Sequence, residues 1–113
     1  MSIVIESTIE NFEGKIFLPD FLTMPQVNAF NAANRKTQKA ANSPEGITMW
    51  ERDEMIAPGL FACIEKLEMQ GQPEHPSLEN FRFTPARDGD IFISFLIVNI
   101  SKLVMGEEII PNA

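Results

Sequence analysis

Residues 2–19 read Ser-Ile-Val-Ile-Glu-Ser-Thr-Ile-Glu-Asn-Phe-Glu-Gly-Lys-Ile-Phe-Leu-Pro, and the class of the fold turns on them. Ser2 to Ile9 is β-branched and partly alternating, which suits a strand. Asn11-Phe12-Glu13-Gly14 supplies turn residues, with Gly14 free to take a positive φ. Lys15-Ile16-Phe17-Leu18 is a second strand, stopped by Pro19. The spacing predicts a β-hairpin over about 2–18. Two strands are marginal in water by themselves, so a helix must cover one face.

Outward from the hairpin the chain reads as helical. Thr23-Met24-Pro25-Gln26 is a helix start, with Thr23 as N-cap and proline in the first turn. Val27, Phe30 and Ala33 carry that helix over about 24–39. Asn42-Ser43-Pro44-Glu45-Gly46 is a loop. Thr48 caps the next helix, and Glu51 stands three residues on, as in a capping box. Trp50, Ala57, Leu60, Phe61, Ile64 and Leu67 keep a rough helical period over 48–70. Pro58-Gly59 kinks or splits this helix near 58, and Gly71 ends it. Asp88 or Asp90 caps a last helix over 88–105, where Phe92, Phe95, Leu96, Asn99, Ile100 and Leu103 recur at three- and four-residue steps. Ile93, Ile97 and Val98 make it apolar nearly all round, so it is either the central core helix or meets a partner with one face. Gly106 stops it, and a short tail follows. The expected architecture is α+β and mostly helical: one domain over 1–113, with an N-terminal β-hairpin packed against three to four α-helices.

Composition narrows the function. The 113 residues carry nine Lys and Arg against sixteen Asp and Glu, a net charge of −7. Affinity for nucleic acid or for anionic membranes comes from basic residues, so both are disfavoured as partners. The single Cys excludes an internal disulfide and any multi-Cys zinc site, which points to a reducing compartment. The start Met1-Ser2-Ile3-Val4-Ile5-Glu6 lacks the basic region of a signal peptide. The run Ile91 to Ile100 falls short of the roughly 20 residues of a membrane helix.

Chemistry-bearing residues are few. Cys63 and His75 are the one thiol–imidazole combination, but Cys63 falls in an apolar pattern and no third residue is placed to orient His75. Glu51, Asp53 and Glu54 point in different directions around a helix and complement its N-terminal dipole better than they would ligate a cation. Asp88-Gly89-Asp90 lacks the spaced ligands of a calcium loop. Arg35, Lys36 and Lys39 suit a solvated helix C-terminus, with a phosphate or acidic-partner contact as the other reading. No catalytic, cofactor or metal residue is expected, and the chain reads as a non-enzyme. Nine Phe, six Met and one Trp leave two readings open: all of them are core, or some form an exposed apolar patch that binds another protein.

A set of phrases also falls in a particular order. Gly14-Lys15-Ile16-Phe17-Leu18-Pro19 ends the hairpin, and Leu22-Thr23 opens a helix. Leu60-Phe61-Ala62-Cys63-Ile64-Glu65-Lys66-Leu67-Glu68 and the loop Gly71-Gln72-Pro73 follow. An aromatic-rich helix and Glu107-Glu108-Ile109-Ile110-Pro111-Asn112 close the chain. Over most of its length this order resembles that of tail assembly chaperones from long-tailed bacteriophages. The resemblance implies a non-enzymatic protein that binds the tape measure protein during tail assembly and helps recruit tail tube subunits. It implies work in the host cytoplasm and absence from the mature virion, with a frameshifted longer product beside this short form. No family residue carries over by motif. Trp50, Phe81 and Phe83 are nominated as protein-binding because they lie outside the best core stripes, and the last helix as a surface for a homo-oligomer. Two other functions fit the same composition: an acidic inhibitor or adaptor occluding a basic surface, and a structural tail or connector component.

Overall fold

Alternation along the first strands sets the sheet. In the computed structural model, described here for residues 2–106, β1 (Ser2–Ile9) and β2 (Phe12–Pro19) pair antiparallel from Ser2↔Pro19 to Ile9↔Phe12. The loop between them is two residues long, Glu10 and Asn11, with Asn11 at φ 68°. The turn thus lies earlier than the expected Asn11–Gly14 phrase. Phe12 is already a buried strand residue, and Gly14 lies inside β2 at φ 147°. A Cβ on Gly14 would sit 2.5 Å from the Glu68 carbonyl oxygen. This glycine therefore serves a close crossing of strands rather than a turn.

That crossing is with β3 (Lys66–Met69), which pairs antiparallel with β2 from Gly14↔Met69 to Phe17↔Lys66 and makes the sheet three-stranded, in the order β1-β2-β3. The helix expected over 48–70 is corrected here. α2 runs Met49–Phe61, and Leu67 and Met69 are buried at every second position of a strand. The three-residue step from Ile64 to Leu67 imitates a helical period, and the free edge of β2 overrides it with backbone pairing. Gly71, at φ 80°, belongs to the turn after β3 rather than to a helix end. Nor does Pro58 split α2, which continues one turn beyond it. Pro58 is exposed, so the Glu54 carbonyl that loses its helical partner can meet water. The glycine beside it has a packing reason: a Cβ on Gly59 would lie 2.7 Å from Ala33 Cβ and 2.9 Å from the Ala29 carbonyl oxygen of α1 (Met24–Ala41).

The expected capping box of Thr48 and Glu51 is present at the start of α2, and the expected N-cap Thr23 proves to close a second one with Gln26 at the start of α1. Glu51 accepts from the Thr48 backbone N–H at 3.0 Å, which holds its carboxyl below the usual carboxylate range. Thr48→Ala is expected to destabilise the fold by about 1 kcal/mol, read as a lowered urea midpoint with an unchanged slope. α3 (Ala86–Met105) begins two residues before the expected start, and Gly106 ends it in a left-handed conformation. Its N-cap is Pro85, with no side-chain cap. Asp88 and Asp90, expected as caps, lie inside the helix and bond elsewhere: Asp88 accepts from Asn11 Nδ2 at 2.9 Å, and Asp90 from Arg52.

The core lies between the sheet and the helices. Ile5, Phe12, Ile16 and Leu18 meet Phe92, Ile93, Leu96 and Ile100 of α3, with Ile56 and Leu60 of α2 and Phe30 of α1 closing the side. Each such side chain contributes about 1.5–3 kcal/mol through apolar burial. The opposite side of α3 leaves Ile91, Val98 and Met105 largely exposed, seven residues apart on one line. No helix of the described residues is long and apolar enough to cross a membrane. The tail phrase from Glu107 onward lies outside the described residues.

Candidate functional site

α2 and the irregular segment 76–83 face each other across a cleft of about 310 Å³. Trp50, Phe81 and Phe83 all line it, together with Phe61, Leu78 and Ile93. Three aromatics nominated separately along the sequence are thus brought to one place. Trp50 lies in the first turn of α2, 46% exposed, and meets Phe83 edge-on at 6.0 Å. Phe81 is half-buried and anchors the far wall to the core. Its ring lies 5.2 Å from Phe61, 6.0 Å from Phe92 and 6.1 Å from Phe12. Not all of the aromatics are core: Phe12 and Phe92 are buried, while Trp50, with Leu78, presents apolar surface.

Segment 76–83 has no regular structure, so its backbone groups depend on side chains. The Gln72 amide donates to the Arg82 carbonyl at 2.7 Å and accepts from the Arg82 N–H at 3.0 Å, as a neighbouring strand would. Arg82 Nη2 donates to the Asn11 carbonyl at 2.6 Å, with its guanidinium over the Phe12 ring. Asn80 accepts from the Ser77 N–H and donates to the His75 carbonyl. At the end of the segment, Gly89 of α3 lies directly beneath Phe83. The far wall is accordingly held in place from several sides.

The near wall is acidic. Glu51 and Glu54, three residues apart, share a face of α2, and both are exposed. Among the described residues the Glu54 carboxylate has no ion-pair or hydrogen-bond partner. Asp53 turns inward to 2% exposure. Arg52 donates to Asp53 Oδ1 at 2.7 Å, to Asp90 Oδ1 at 3.0 Å and to Ser94 Oγ at 3.0 Å, joining α2 to α3. Asp53 Oδ2 is buried with no hydrogen-bond partner. Burial, then the neighbouring Asp90 carboxylate, push the Asp53 carboxyl up to about 7 against the opposing pull of Arg52. The sequence offered Asp53 only as one acid among three in a first turn, and nothing in it signals the meeting with Asp90.

A shallower second hollow continues the cleft along α2. It shares Phe61 and Leu78 and adds Pro58, Ala62, Pro76 and Glu79. From Trp50 to Ala62 the groove follows twelve residue steps of helix, about 18 Å.

The chain matches no family model, no curated protein and no solved structure.

Cys63 and His75 differ in their surroundings. Cys63 is fully buried just after α2, its Sγ directed at the Gln26 carbonyl at 3.6 Å, and burial pushes its thiol up to about 11. His75 is exposed beside Glu74, and no hydrogen bond joins it to Cys63. A thiol so placed holds its proton at neutral pH and is a poor nucleophile. Arg35, Lys36 and Lys39 stand exposed toward the end of α1, away from the groove lining. Among the described residues no group of three or more His, Cys, Asp or Glu is arranged to hold a metal ion.

Proposed function

We propose that the chain is a non-enzymatic tail assembly chaperone of a long-tailed bacteriophage. In this reading it acts in the host cytoplasm, binds a segment of the tape measure protein, helps recruit tail tube subunits and leaves before the virion is complete. The observation that carries the binding role is the open groove along α2, where Trp50 of that helix faces Phe83 and Leu78 on a far wall fixed by the Gln72, Asn80 and Arg82 hydrogen bonds. The tail assembly context rests on the resemblance of the phrases around Leu18, Cys63 and Pro73. The net charge of −7 would keep a complex with an aggregation-prone partner soluble. Ile91, Val98 and Met105 on α3 offer a second apolar line, suited to association between copies.

The test is an affinity pull-down of the tagged chain from productively infected cells, with the partners identified at low and at high salt. Recovery of a very long helical protein and a tail tube subunit, retained at high salt, is the expected result. The acidic groove wall favours a second reading, an inhibitor or adaptor that occludes a basic surface. Recovery of a basic host protein that is lost at high salt would replace the first reading with this one. Persistence of the chain in purified particles would instead make it a structural tail component.

A further inference from the structure

The groove along α2 is polarised. Its floor is apolar, formed by Ala57, Phe61, Leu78 and Ile93. Carboxylates gather at the Trp50 end, where Glu51 and Glu54 stand exposed and Asp53 lies in the wall with an unpartnered buried oxygen. Glu79 adds a further acid at the other end. No lysine or arginine lines either half. Arg52, the nearest cation in sequence, is turned away into its contacts with Asp53, Asp90 and Ser94. An occupant that is only apolar would bury part of this acidic wall without compensation, which costs free energy. A cation on the occupant removes that cost.

We propose that the occupant is a basic amphipathic helix of a partner protein, which seats a Lys or Arg between Trp50 and the Glu51/Glu54 carboxylates and lays apolar residues along Phe61 and Leu78. The inference rests on the reading of this groove as a protein-binding site and names the chemistry of the partner. The geometry suits such a segment in three ways. The groove length of about 18 Å matches roughly twelve residues of helix, the helix-in-groove mode of recognition. The exposed Trp50 ring offers a face for the aliphatic stem and the charge of a basic side chain. The lining runs along α2 from Trp50 to Ala62, a length that suits a chain segment better than a compact small molecule. A second copy of this chain fits poorly, because its one basic cluster, Arg35, Lys36 and Lys39, is interspersed with Asn31, Asn34 and Gln38 rather than with bulky apolar residues.

The full chain contains a single tryptophan, so its emission reports on this groove directly. The probe is a helical peptide of about fourteen residues built from Leu, Ala and Lys, compared with the same peptide carrying Gln for Lys. The expected result is a saturable blue shift of Trp50 emission, with the Lys peptide binding about tenfold tighter than the Gln peptide in low salt. Glu51→Gln with Glu54→Gln should abolish the difference, and Gln at position 51 preserves the capping box so that the variant folds. Equal binding of both peptides at Trp50 would overturn the basic partner and leave the chaperone reading standing. Lys-peptide binding that does not move Trp50, or that survives the double substitution, would also overturn it, as attraction to the acidic chain at large. No response to either peptide overturns it as well, and the pull-down then shows whether a partner binds elsewhere. A light-scattering mass of a dimer, with Trp50 emission changing on dilution, would assign the groove to a second copy.

Discussion

Gly89→Ala is expected to lower the melting temperature by about 10 °C, a loss of about 2–3 kcal/mol. Helix propensity alone gives the opposite sign, since alanine in place of an interior helical glycine stabilises by about 1 kcal/mol. Packing decides against propensity here. A Cβ at Gly89 would lie 2.2 Å from the Phe83 carbonyl oxygen and 2.9 Å from its ring. The carbonyl cannot retreat easily, because the adjacent Arg82 is held on both backbone groups by Gln72 and through its side chain by Asn11. Circular dichroism melts check the sign directly, and a rise in melting temperature would mean that the contact yields. Displacing Phe83 also removes the edge-on neighbour of Trp50, so a change in tryptophan emission should accompany the loss.

Arg52→Ala is expected to cost about 2–3 kcal/mol at pH 8 and much less at pH 5. The guanidinium bridges two carboxylates, and deleting it leaves the buried Asp53 beside Asp90 with no cation. Breaking a buried pair in this way costs about 3–5 kcal/mol, and the partial exposure of Arg52 places this case at or below the lower end. The pH dependence follows from Asp53. Its carboxyl is raised from an ordinary 3.8 to about 7 in the folded chain. Between those values the folded chain holds a proton that the unfolded chain has released, so this group makes stability fall as pH rises from about 4 to about 7. Glu51 acts in the opposite sense. Its capping carboxylate is held below its ordinary 4.5, so its contribution is lost as pH falls under that value. Asp53→Asn should therefore flatten the stability profile between pH 4 and 7 and raise the melting temperature at pH 8. Denaturation midpoints of the three proteins across that range would test it, and a parallel shift of all three profiles would refute the assignment to Asp53.

Local chemistry made much of the fold legible. Thr23 with Gln26 and Thr48 with Glu51 declare helix starts through their own side chains, and Gly106 declares an end by the conformation it adopts. The last helix showed its apolar faces by periodicity, and β1 and β2 showed theirs by alternation. β3 was illegible because four residues, Lys66–Met69, carry too little pattern to separate a strand from the end of a helix. The groove was half legible. Trp50, Phe81 and Phe83 stood out as aromatics without a place in a core stripe, but their meeting depends on Gln72, Asn80 and Arg82, polar residues whose partners lie up to 71 positions away.

The sequence by itself determined the α+β class, the hairpin, the Thr23 N-cap and the Thr48–Glu51 capping box, the acidic surface and the surplus of aromatics. These follow from interactions within a few residues or from composition, which no folding is needed to read. Tertiary structure alone decided that β2 acquires a third strand, that Gly14, Gly59 and Gly89 each stand where another element comes within contact of their missing Cβ, and that Asp53 meets Asp90 across Arg52. The physical reason is common to all three. Such contacts join residues far apart in the chain, and their free energy arises only once the core of Phe12, Ile16, Phe92 and Leu96 has closed and removed the water between them.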